Sequence, residues 1–266
     1  MIKLGVNSVL FGAVDFATAA RQAKLCGYDG IEVSAIAGMC EHLVLDRWEE
    51  QADAIRGIAE ENGLQLLSME VASLDEARLE KAFAAGKAIG IPVINVGPSG
   101  KSEDEPTVVE CLETLAKRAG LAARYGVTLC CKAHVGSAIY NTPTTLRMMK
   151  TITDDSFGVD MDPSHIWRGG EEPQDALKQV VSRVRHVHIR DCKGRQMNPG
   201  IPKMQACGRG DIDLAAYCKV LVQSGYDGPV CLEVIGAGEL PLDQTTAIAA
   251  ESYGYLNAVL KSLGAR

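Results

Sequence analysis

The strongest constraint on this chain is an alternation. Short β-branched or apolar runs are followed, eight times over, by longer stretches whose apolar or small residues recur at helical spacing. The strand-like runs fall at residues 3–8, 29–34, 64–70, 92–96, 127–131, 157–161, 184–191 and 229–234. The helical stretches fall at 15–26, 46–62, 74–89, 105–125, from 142 onward, 173–181, 211–224 and 243–260, and Gly27, Gly63, Gly90, Gly126 and Gly225 sit at helix ends. Open doubly wound sheets alternate too. The count of eight, the length of 266 residues and the lack of a Gly-x-Gly-x-x-Gly turn after the first strand favour a closed (β/α)8 TIM barrel, with residues 1–266 as one domain.

Composition removes several classes. No apolar run approaches the roughly 18 residues that span a bilayer, so no membrane partner is expected. The N-terminus lacks a basic segment followed by an apolar core, which argues against secretion. A formal charge of −7 lacks the basic stripe of a nucleic-acid surface. The nine cysteines are scattered, odd in number and free of any Cys-x-x-Cys, which fits reduced thiols in a cytoplasmic enzyme.

In such a barrel the working residues lie at the C-terminal ends of the strands, where the βα loops open. Here those ends read Glu32, Glu70, Lys132 with His134, Asp160 with Asp162, His188, and Glu233. Barrel interiors are otherwise filled with branched apolar side chains, so ionisable groups at six of eight ends mark a polar pocket. The seventh strand is the densest, Val184-Arg185-His186-Val187-His188-Ile189-Arg190-Asp191. Alternation puts His186, His188 and Arg190 on one face and Val187 and Ile189 on the other. Taken alone, such a histidine pair is as compatible with a structural role in a buried sheet. Asp162, His188 and Glu233, from three successive strands, make a mixed oxygen and nitrogen set suited to one divalent ion, Mn²⁺, Mg²⁺, Zn²⁺ or Co²⁺. An ion there polarises a carbonyl and its neighbouring hydroxyl and acidifies the carbon-bound proton between them. A nearby carboxylate or imidazole then moves that proton. Glu32, Glu70 and Arg190 are expected at the substrate, and Trp167 either stacks on a sugar face or packs.

Five segments carry a resemblance: Gly27-Tyr28-Asp29-Gly30-Ile31-Glu32, Gly158-Val159-Asp160-Met161-Asp162-Pro163-Ser164-His165, Val187-His188-Ile189-Arg190-Asp191, Gly208-Arg209-Gly210-Asp211-Ile212-Asp213 and Leu232-Glu233-Val234. On these the chain resembles the sugar phosphate isomerase/epimerase group of the xylose isomerase-like TIM barrels over essentially its whole length. The resemblance implies a carbohydrate substrate and one divalent metal held by Glu, Asp, His and Glu from strands five to eight. Read onto this chain, it implies Asp162, His188 and Glu233 as ligands and His165 and Arg190 near the substrate. Members are often homo-oligomers, although no interface is legible here.

The first implied ligand is where the chain departs, because the usual Glu-x-His of strand five reads Lys132-Ala133-His134. An ammonium beside a divalent cation is unfavourable unless it is neutral or turned away. Three readings follow. The metal stays, completed by His134 or water, with Lys132 as acid/base or electrophile; or Lys132 replaces the metal and pairs with Asp162 and Glu233; or Lys132 forms a Schiff base with a carbonyl substrate. The resemblance implies paired carboxylates on opposite faces of an enediolate, and the lysine removes one of them. Glu233 then serves as base, with Lys132, His134 or His165 as second proton carrier.

The expected function is a sugar isomerase or epimerase that abstracts a proton next to a carbonyl. Alternatives are a keto-sugar or inosose dehydratase working by β-elimination, and a non-catalytic sugar-binding barrel. An endonuclease for abasic DNA, allowed by the same superfamily, needs more histidines than the five present. The loop over residues 191–208, with Lys193, Arg195 and Lys203, is either a lid that holds an anionic group or a solvated loop. Asp211 is expected to cap the helix after it, and His42 has no identifiable partner.

Overall fold

Residues 1–266 are described by a computed structural model. Eight parallel strands form the barrel: β1 (Lys3–Asn7), β2 (Gly30–Ile36), β3 (Gln65–Glu70), β4 (Val93–Val96), β5 (Thr128–Lys132), β6 (Phe157–Asp160), β7 (Val184–Ile189) and β8 (Pro229–Leu232). Each pairs with the next, and β1 closes the ring by pairing with both β2 and β8. The pair Cys40–Glu41 adds a short antiparallel strand to the end of β2. Helices α1 (Phe16–Cys26), α2 (Trp48–Glu61), α3 (Glu76–Ile89), α4 (Glu105–Tyr125), α5 (Thr142–Thr151), α6 (Pro163–Arg168), α7 (Pro173–Val180), α8 (Leu214–Gln223) and α9 (Leu242–Ser262) surround it. No helix is long and apolar enough to cross a membrane.

Local chemistry sets these boundaries. Asp15 and Asp75 each accept a backbone N–H three residues on, at 2.8 Å, and so cap α1 and α3, while Asn141 and Thr144 form a reciprocal capping box on α5. Gly30 lets β2 and β3 approach, since a Cβ there would lie 2.5 Å from the Gln65 carbonyl oxygen. The register slips between Ile31 and Glu32 where β2 meets β3, and between Val159 and Asp160 where β6 meets β7. Irregularities of this kind re-aim side chains beside a site, and both occur next to a carboxylate buried inside the barrel.

The structure corrects several expectations. Helix α6, directly after β6, was not anticipated; Pro163 occupies its first turn and Asp162 caps it, accepting the Ser164 N–H at 2.7 Å. Helix α8 is capped by Asp213, not Asp211, whose carboxylate instead receives Lys193 and the Gly194 N–H. His42 is partnered after all, its Nε2 lying 2.8 Å from the Val14 carbonyl oxygen. All nine cysteines are free thiols.

A candidate acid-base site at the barrel mouth

Side chains inside the barrel near its C-terminal end form two charged layers. The inner layer is built on β7, whose alternation turns His186 and His188 inward together. Asp160 holds both: Oδ1 lies 3.0 Å from His186 Nδ1 and accepts the His188 backbone N–H at 3.0 Å, and Oδ2 lies 2.6 Å from His188 Nδ1. His188 Nε2 lies 2.5 Å from Glu32 Oε2, and Asn95 donates to Glu32 Oε1 at 2.6 Å. His186 Nε2 reaches Ser68 Oγ at 2.9 Å. Burial opposes charge on His188, yet Asp160 and Glu32 together hold it well above the usual imidazole range. Burial likewise opposes charge on Asp160 and Glu32, and the two histidines hold both carboxylates below theirs.

The rim layer lies above it. Lys132, at the end of β5, is 4% exposed and donates to Glu233 Oε1 at 2.9 Å and to Glu70 Oε1 at 3.2 Å. Asn7 donates to the other oxygen of Glu70 at 2.6 Å. Arg190, just beyond β7, is anchored by Nε donating to Ser164 Oγ at 2.8 Å. Its Nη2 lies 3.1 Å from Asp162 Oδ2 and 2.9 Å from His165 Nε2, and its Nη1 lies 3.2 Å from Glu233 Oε2. These contacts to carboxylates bring charges together without hydrogen-bond alignment. Arg190 Nη1, Asp162 Oδ2 and Glu233 Oε2 are therefore each buried with no hydrogen-bond partner. Full burial without a partner costs a polar group about 1–3 kcal/mol, so the atoms of Arg190 and Glu233, which line the cavity above this layer, mark where a ligand would be received.

Protonation differs sharply across the rim. Burial, reinforced by the Glu233 charge, pushes Glu70 up to about 8 despite Lys132. Glu233 is held well below the carboxylate range: burial works against this, but Lys132, His188 and Arg190 outweigh it. Burial, then Arg190, His134 and Arg168, pushes His165 well down, so its imidazole is neutral. Burial and Lys132 also lower His134, whose ring lies 4.0 Å from that of His165. Near neutral pH the rim thus pairs a protonated Glu70 with an ionised Glu233.

A cavity of about 720 Å³ opens above this layer, lined at its base by Glu70, Lys132, His134, His165, Arg190 and Glu233 and roofed by Met197, Asn198 and Pro199. The other expected site residues do not line it. Glu32 and His188 are sealed in the inner layer, and Asp162 lies behind Arg190. Trp167 is turned aside: Nε1 donates to the Gly194 carbonyl oxygen at 2.8 Å, and the Arg195 guanidinium sits 3.5 Å over its ring. The loop after β7 does cover the pocket, but not with its cations, since Lys193 pairs with Asp211 and Arg195 with Glu172. Arg168 of α6 was missed; it lines the cavity and grips the loop through the Met197 carbonyl oxygen. Asp191 ties the loop's two ends, accepting N–H groups from Cys192 at 2.9 Å, Gly208 at 3.0 Å and Ile212 at 3.2 Å. Asn7 and Asn95 were also missed, although an amide near the end of an otherwise apolar strand was the available signal.

The metal set implied by resemblance, Asp162, His188 and Glu233, is not assembled. Arg190 stands between the two carboxylates, Lys132 occupies Glu233 from the other side, and both His188 nitrogens are engaged by Asp160 and Glu32. A divalent ion about 4 Å from either cation would meet repulsion on the order of 8 kcal/mol at an effective dielectric near 20, so these residues do not fit a metal there. Buried groups capable of holding a divalent ion occur deeper, each with ligand atoms within 4.8 Å: Glu32, His186 and Cys231; Asp160, His186 and His188; Glu32, Glu70 and His188.

A closed barrel with its polar cavity at the C-terminal mouth defines a class of single-domain (β/α)8 proteins built around a small-molecule site. Within it, this chain belongs to the family described as xylose isomerase-like TIM barrel, which matches residues 20–259. It is 25% identical to an inosose dehydratase of Clostridium perfringens over 246 residues, 76% of this chain and 80% of that one. Among solved structures it is similar to the IOLI protein with a bound zinc atom, at a TM-score of 0.80 and 18% identity over 98% of this chain and 99% of that one. It is also similar to a D-psicose 3-epimerase crystallised with D-fructose, at a TM-score of 0.78 and 16% identity over 97% and 99%. The structural likenesses carry the fold.

Proposed function

We propose that this chain is an enzyme that abstracts a proton next to a carbonyl of a small sugar or sugar derivative, and that it completes the reaction by eliminating water. The observation that carries this is the Glu70–Glu233 pair, one carboxyl protonated and one ionised, sharing a single ammonium at the base of the cavity. Glu233 takes the proton from the carbon beside the carbonyl, and the electron pair moves onto the carbonyl oxygen. As the carbonyl re-forms, the β carbon–oxygen bond breaks, and Glu70 gives its proton to the departing hydroxyl, which leaves as water. The proton now on Glu233 returns to Glu70, its neighbour on the same ammonium, restoring both groups.

Isomerisation and epimerisation begin with the same abstraction. Epimerisation then needs a proton delivered to the opposite face, whereas Glu70 and Glu233 flank one lysine. The inosose dehydratase relative supports the elimination reading, and the epimerase among the structural neighbours keeps the broader isomerase class in view. Divalent-metal assistance from the deeper donor sets has the zinc-containing neighbour in its favour, with the metal's identity open to assay.

Incubating the protein with an inosose, and separately with D-psicose, in D₂O under nuclear magnetic resonance tests this. Water loss from the inosose is expected. Conversion of D-psicose without water loss from the inosose would replace elimination by epimerisation, and binding without solvent deuterium entering either compound would make the barrel a sugar-binding protein.

A further inference from the structure

We infer that Lys132 and Arg190 form a fixed cation pair that receives two adjacent oxygens of the bound compound, the position and charge that a divalent metal would otherwise supply. The inference rests on the carbonyl chemistry proposed above and specifies what holds the developing negative charge.

Three features place the pair at the ligand. Both side chains line the cavity, one from the end of β5 and the other from just beyond β7, with Glu233 in contact with both. Neither is exhausted by the protein: an ammonium has three N–H donors and Lys132 meets two acceptors, while Arg190 Nη1 has no hydrogen-bond partner. Glu233 Oε2 is also unpartnered, so an acceptor waiting for a proton sits beside donors waiting for oxygen. Neither cation is free to withdraw. Lys132 is held by the Glu233 carboxylate and the Glu70 carboxyl, and Arg190, 1% exposed, is pinned through Nε to Ser164.

The ligand chemistry follows. An enediolate presents two oxygens on adjacent carbons in one plane with negative charge shared between them. A point-like ammonium and a flat guanidinium, fixed on either side of the base, match that shape without displacing the carboxylates. Glu233 and Glu70, with Asp160 and Asp162 behind them, keep the buried Lys132 charged, which explains why a lysine is tolerated on strand β5. Positive charge here is built into the chain.

Oxalate, a planar dianion with oxygens on adjacent carbons, is the probe. Calorimetric titration into chelator-treated wild-type protein should show one site per chain, unchanged when Mn²⁺ is added. Lys132→Met and Arg190→Met should each weaken it by about tenfold or more, the size of a lost charge-assisted hydrogen bond. Circular dichroism establishes that each variant is folded, and the wild-type comparison with and without Mn²⁺ decides the matter if either is not. No oxalate binding, binding that appears only with Mn²⁺, or folded variants that bind as wild type would each overturn the pair. A protein that binds oxalate as expected but never turns over a sugar would leave the pair standing and remove the proposed reaction.

Discussion

The inner and rim layers use similar residue types to opposite ends. In the inner layer, Asp160, Glu32, His186 and His188 satisfy one another, with Ser68 and Asn95 taking the remaining positions, and all are sealed from the cavity. In the rim layer, Lys132 and Arg190 face Glu70, Asp162 and Glu233, and Arg190 Nη1 and Glu233 Oε2 remain without hydrogen bonds where the cavity begins. Complete pairing makes a rigid support. Incomplete pairing against a cavity leaves capacity for a ligand, and the stability forgone at the rim is offset by the layer beneath it and the apolar core around both.

The two layers should therefore fail differently. The largest effect is expected from Glu233→Gln, which removes the proposed base: turnover should fall by roughly 10²–10⁴-fold while the protein still unfolds cooperatively, measured by steady-state kinetics beside a urea melt. Turnover close to wild type would move the base elsewhere. Asp160→Asn breaks the other layer, removing one of the two carboxylate charges that hold His188. It should cost about 3–5 kcal/mol of stability, read from the urea midpoint, and a loss under 1 kcal/mol would mean the inner layer is not a support.

Acidity separates the layers next. Glu70 lies at about 8, so its proton-donating form disappears as pH rises through that value. Turnover should decline above about pH 8, and Glu70→Gln should abolish that limb together with most activity. The inner layer governs stability instead. Asp160 and Glu32 sit below their unfolded values, so their contribution is present above the ordinary carboxylate range and lost as pH falls through the depressed folded values. His188 sits above its unfolded value near 6.5, so its contribution is full below that pH and lost as pH rises through the raised folded value. Urea midpoints across pH should therefore fall at both extremes, more gently in Asp160→Asn; a wild-type profile that does not fall would contradict this pairing. The smallest effect is expected at Trp167→Phe. The arginine stacked on that ring is worth about 0.5–1 kcal/mol, and the ring faces away from the cavity, so the Michaelis constant for the sugar should not move. A large rise would return Trp167 to the substrate.

Much of this was legible in the residues. Eight alternations defined the barrel, and of the strand-end residues Glu70, Lys132, His134 and Glu233 line the cavity. Depth was harder to read. Glu32 was read as a strand end, but β2 continues to Ile36 and leaves it a layer below the rim, where it and Asp160 hold His188. Helix α6 was invisible because six residues are too few for a periodic pattern, and with it went the capping role of Asp162 and the place of Arg168. The long reach of Arg190 between Asp162 and Glu233 belongs to tertiary packing alone. No spacing rule predicts that an arginine two residues beyond a histidine will stand where a metal was expected.

A crystal structure of the protein with an inosose bound, grown from chelator-treated material, tests the rim most directly. The proposed site predicts a sugar oxygen within about 3.2 Å of Lys132 Nζ, a second near Arg190 Nη1, and the acidic carbon facing Glu233. A sugar seated away from these three groups, or a metal ion lodged between Asp162 and Glu233 with Arg190 swung aside, would contradict it.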